Sequence, residues 1–66
     1  MHYRFYEIDA DDHVLTGYSV ECPSDTAAMQ AGRRLVQQQR AATVEVWQAA
    51  RPVGRLSTAE DEEDRN

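Results

Sequence analysis

The sequence predicts an α+β domain of ββαββ order, with two antiparallel hairpins in one sheet and a single helix packed on one face. Three observations carry this. One stretch, beginning at Cys22-Pro23-Ser24 and running past Leu35-Val36, has helical periodicity and a start signal. Two pairs of β-rich stretches flank it, and the segments joining the members of each pair are short.

Tyr3 to Asp9 is rich in aromatic and β-branched residues and gives strand one, closed by the polar turn cluster Ala10-Asp11-Asp12-His13. Val14 to Cys22 alternates, with Val14, Thr16, Tyr18, Val20 and Cys22 on one side, and gives strand two. Gly17 marks a bulge or a twist within it. The short connection implies an antiparallel hairpin.

Pro23 fixes its own φ and has no N–H to donate, which suits the approach to a helix. Ser24 or Asp25 can then accept from the free N–H groups of the first turn. Ala28, Ala31, Gly32, Leu35, Gln39 and Ala42 fall on one face, and Thr26, Gln30, Arg33, Gln37 and Arg40 on the other. The inward set is small apart from Leu35, so the helix backbone can sit close to a sheet. Gly32 costs roughly 1 kcal/mol of helix propensity against Ala, which close approach would justify. Packing explains this face, and it is not a cofactor box.

Val44-Glu45-Val46-Trp47-Gln48 is strand three, with Val44 and Val46 pointing one way and Glu45 and Trp47 the other. Ala49 to Pro52 forms a turn and Val53 to Ser57 a short fourth strand, with Pro52 where it need donate nothing. Residues 1–57 make the one domain, and 58–66, with a run of like charge and almost no apolar residue, an acidic disordered tail.

A 66-residue chain has room for one layer of helix on sheet, and such a domain is marginal unless something supplements its core. A single cysteine gives no internal disulfide, and no Cys/His spacing suits a structural zinc. Self-association is one remaining supplement. The net charge is −5, but residues 1–57 hold six arginines against seven carboxylates, a balance of −1, so the acidity belongs mostly to the tail. No apolar stretch approaches the roughly 20 residues of a membrane span and no charged leader opens the chain, so the expected location is the cytoplasm.

One helix covers one sheet face, so the far face stays open. With Tyr6, Ile8, Tyr18, Val20, Val44 and Val46 against the helix, Tyr3, Phe5 and Trp47 stand on the far side with Leu15 and Leu56 as an exposed aromatic patch. A bulge in strand one would instead put Phe5 in the core and leave only Trp47 partly exposed. The first arrangement predicts a homodimer held through the open face or an edge strand, with Tyr3, Phe5 and Trp47 carrying the interface.

Sharper chemistry finds little support. Asp9, Asp11, Asp12 and His13 could surround a cation, but they lack the glycine and distal Glu of a calcium loop, and a solvated turn accounts for them. His2, His13 and Cys22 have no paired ligand spacing. Cys22 precedes a helix N-terminus, whose dipole favours a thiolate, yet a small cysteine packed beneath the helix explains it as well. No Ser/His/Asp set and no phosphate-cradling glycine loop is present, so the expectation is a non-catalytic protein without cofactor or metal. Arg33, Arg34, Arg40, Arg51 and Arg55 offer the alternative of a nucleic-acid-binding surface, against a domain that is neutral to slightly acidic.

Tyr3-Arg4-Phe5-Tyr6, Asp9 to His13, Val20-Glu21-Cys22 and above all Val44-Glu45-Val46-Trp47 with Ala50-Arg51-Pro52-Val53-Gly54-Arg55-Leu56 resemble a family of short uncharacterised bacterial proteins, common in alphaproteobacteria. The resemblance spans residues 3–56 and implies a ββαββ domain with no catalytic residues to carry over. A glycine is usual where this chain has Asp12-His13, which leaves the turn type open. Asp25-Thr26-Ala27-Ala28 is also similar to the helix start of antitoxin modules of partial ribonuclease-H-like type, although the glycine- and proline-rich run before that helix is missing. That similarity implies a regulatory partner-binding module using the helix arginines.

Overall fold

A computed structural model describes residues 1–58 of the chain. The expected acidic tail, residues 58–66, lies outside the described residues from 59 onward. The elements are β1 (His2–Ile8), β2 (Val14–Glu21), α1 (Asp25–Gln37), β3 (Thr43–Gln48) and β4 (Arg51–Ser57). The four strands form one antiparallel sheet in the order β2-β1-β3-β4, with α1 on one face, so the predicted ββαββ class is the observed one.

Ser24 caps the helix as its sequence position requires. Its backbone is extended, at φ −158°, and its hydroxyl accepts the Ala27 N–H at 3.2 Å. The helix ends at Gln37, short of the last two residues of the expected inward face, because Gln39 adopts φ 59°. The Gln39 N–H then reaches the Val36 carbonyl and the Arg40 N–H the Leu35 carbonyl, the paired bonds of a Schellman stop with glutamine where glycine is usual. Gln39 and Ala42 therefore lie beyond the helix, and the buried stripe is Ala28, Gly32 and Val36.

The helix lies over β3 and β4. Gly32 permits this closeness: a Cβ there would stand 2.7 Å from Leu56 Cδ1. Beneath it, Tyr3, Phe5, Cys22, Ala28, Val36, Ala41, Val44, Val46 and Leu56 form the core. Three of the far-side assignments are thereby corrected. Tyr3 and Phe5 are 1% exposed under the helix and Leu56 is 4% exposed, while Tyr6 takes the open face. The register requires it, because Phe5 pairs with Val46, and directly opposed residues of an antiparallel pair share a face.

Glu7 explains why β1 misleads. It shares the helix-side face with Tyr3 and Phe5 and is 5% exposed. The Tyr18 hydroxyl donates to its Oε2 at 2.7 Å and the Arg40 guanidinium stands 3.9 Å away. A charge with partners can occupy an apolar face. Burial and this hydrogen bond push the Tyr18 phenol up to about 12.

The first hairpin closes through Asp12 N–H to Asp9 carbonyl and Asp9 N–H to His13 carbonyl, with Asp12 at φ 68°. Asp12 thus takes the left-handed position of a three-residue loop, where glycine is usual. The bulge in β2 falls at Leu15, opposite the Glu7–Ile8 step, and not at Gly17. In the second hairpin the loop shortens to Ala49-Ala50, with Ala49 at φ 54°, so β4 begins at Arg51, two residues before the expected start.

Candidate interaction surface

The sheet face away from the helix carries Arg4, Tyr6, Glu45, Trp47 and Arg55 at alternate positions of β1, β3 and β4. Trp47, half-buried, donates its indole N–H to Glu45 Oε1 at 3.2 Å. Arg55 donates to Glu45 Oε2 at 3.0 Å and to Asp12 Oδ1 at 3.1 Å, which ties β4 to the first turn. Arg4 lies over the Tyr6 ring at 5.9 Å from its centre. Tyr6, Val14, Glu45, Trp47 and Ala49 enclose a depression of about 450 Å³. Among the described residues no buried side-chain polar atom lacks a partner, so no group in this depression waits for a ligand to satisfy it.

Of the three residues expected to carry an interface, Trp47 alone lies on this face. Tyr3 is held elsewhere: its hydroxyl donates to Asp25 Oδ1 at 2.6 Å, and Asp25 also accepts from Arg51 at 3.0 and 3.2 Å. Arg51 first, and then Tyr3, hold the Asp25 carboxyl below the usual carboxylate range, while the same hydrogen bond pushes the Tyr3 phenol up to about 12. The group stitches the first turn of α1 to β1 and to the start of β4.

The two sheet edges differ. Cys22 N–H donates to the Met1 carbonyl, which places Cys22 opposite Met1 in the β1–β2 register. Alternation then turns the backbone groups of Val20, Tyr18 and Thr16 toward β1 and those of Glu21, Ser19 and Gly17 outward, away from the sheet. From Thr16 to Val20 this outer edge has no charge, no proline and no bulge. The β4 edge is protected: Pro52 sits opposite Trp47 with its donor-free nitrogen turned outward, the register shifts beside it, and Arg51 and Arg55 flank it. The helix lies over β3 and β4, so Tyr18 and Val20 are only half-buried, and Val14 and Leu15 at the start of β2 are 62% and 57% exposed. This edge was missed because strand order is a tertiary fact. Charge-free alternation from Val14 to Val20 was its only visible signal.

The other candidates are absorbed by the fold. Ligating atoms of Asp9, Asp11 and His13 lie within 4.8 Å of one another. Asp9 Oδ1, however, already accepts the Asp11 and His13 backbone N–H groups, with the His13 bond foremost in lowering its pKa, so the cluster is accounted for by the turn. Cys22 is buried in the core. Of the five arginines considered for nucleic acid, Arg51 and Arg55 make ion pairs with carboxylates of this chain, and Arg40 stands at 3.9 Å from Glu7. No helix among the described residues is long and apolar enough to cross a membrane.

Comparison with known proteins adds no relative: no family model, curated protein or solved structure matches the chain.

Proposed function

We propose that the domain is a small, non-catalytic, cytoplasmic protein-interaction module that self-associates through the open sheet face or an edge strand. One observation supports this above the others. The helix covers β3 and β4, while β2 keeps an open edge without charge or proline and half-exposed Tyr18 and Val20 beside it. Natural sheets blunt such edges or pair them. Kinship with the short alphaproteobacterial proteins belongs to the same reading and rests on the closing hairpin.

Sedimentation equilibrium over a wide concentration range, with the emission of Trp47 followed in parallel, tests it. Trp47 is the only tryptophan of the chain. A monomer–dimer equilibrium is expected. A monomer at every concentration would overturn the reading. Emission that reddens as the dimer dissociates would extend the contact to the open face, and there Trp47→Ala weakens association more than it weakens folding. Replacing Arg33 on the helix and Arg40 beyond its end by glutamine is expected to leave association unchanged.

A further inference from the structure

We infer that the occupant of the β2 edge is β2 of a second copy, the two strands pairing antiparallel about a two-fold axis at Ser19 so that two four-stranded sheets become one. This rests on the self-association proposed above and names its geometry. The outward backbone groups belong to Gly17, Ser19 and Glu21, so a two-fold pairing that uses all three sets Ser19 opposite Ser19 and Gly17 opposite Glu21.

Side chains fit that register on both faces. On the helix side Tyr18 falls opposite Val20 of the other copy, twice by symmetry, an aromatic and β-branched pairing of the kind that stabilises cross-strand contacts. The half-buried Tyr18 and Val20 of both copies then form one apolar strip beside the two helices. On the open side the single charge of the strand, Glu21, meets a glycine and not its own copy, so no like charges oppose each other. Glu21 keeps its contact with His2 Nδ1 at 2.8 Å, on the neighbouring strand of its own chain. The β4 edge allows no equivalent pairing, because Pro52 offers no donor there.

The test substitutes the central donor. Ser19→Pro removes an N–H that no bond of the monomer uses, at an edge position where proline is tolerated, so the monomer keeps its circular dichroism and the dimer weakens roughly tenfold or more. A folded S19P chain that dimerises as tightly as the parent overturns the β2 pairing while leaving self-association standing. A parent chain monomeric at every concentration sinks both. Should S19P not fold, cysteine placement decides in the full chain with Cys22→Ala: Ser19→Cys is expected to form an intermolecular disulfide under mild oxidation, and Arg55→Cys on the β4 edge is not. A crosslink at position 55 and none at 19 would overturn the assignment.

Discussion

Tyr3 donates its hydroxyl to Asp25 at 2.6 Å, so a strand residue buried in the core anchors the carboxylate that opens the helix. Asp25 also takes the Arg51 guanidinium, and three elements distant in sequence meet at one carboxyl group.

That junction sets the acid limb of stability. Because Asp25 titrates below its unfolded value, its contribution is complete above the ordinary carboxylate range and is lost as pH falls through the lower folded value. Asp25→Asn is expected to lower stability at neutral pH and to flatten the fall in melting temperature toward pH 3. An unchanged acid limb in thermal unfolding would contradict this.

At the alkaline end the sign reverses. Tyr3 and Tyr18 ionise near 12, against about 10 when unfolded, so each contributes stability that is whole below pH 10 and lost as pH rises through 12. Tyrosinate absorbance should show two groups whose ionisation coincides with unfolding above pH 10. Tyr3→Phe and Tyr18→Phe each remove one.

Gln39 is in the left-handed region without being glycine. Relieving that conformation is worth roughly 1–2 kcal/mol, less the added entropy of glycine in the unfolded chain, so Gln39→Gly is expected to stabilise by about 1 kcal/mol in chemical denaturation. Asp12→Gly should gain less, because it also deletes the Arg55 ion pair.

Gly32→Ala tests the contact of helix and sheet. Helix propensity alone favours alanine by about 1 kcal/mol, but the added methyl would meet Leu56 Cδ1, and overpacking costs about 1–3 kcal/mol. Net destabilisation is expected, partly rescued when Leu56→Val is combined with it. A simple gain in stability would show that the core can yield there.

Much of this was legible in the chain. Ser24 and Pro23 marked the helix start, and the alternation of Val44, Val46 and Trp47 assigned both faces of β3. Strand β1 deceived because both of its alternating sets carry aromatics, and Glu7 made the set with Tyr3 and Phe5 look like the wet one. Only the pairing of Phe5 with Val46 and the partners of Glu7 resolve this, and both are contacts between segments far apart in sequence. The surface residues followed: Trp47 was placed from its own strand, while Tyr6 and the β2 edge depend on the register and order of the whole sheet.

The strand order also bears on how quickly the chain finds its fold. Each hairpin pairs neighbours in sequence and, like the helix, can appear within about 10 μs. The β1–β3 ladder alone joins distant segments, bringing Ile8 to Thr43 across the whole of β2 and α1. Closing that loop is the entropic bottleneck, and because its cost grows only logarithmically with length, residues added between β2 and the helix would slow folding little. Loosened contacts at Phe5–Val46 or Glu7–Val44 would slow it far more.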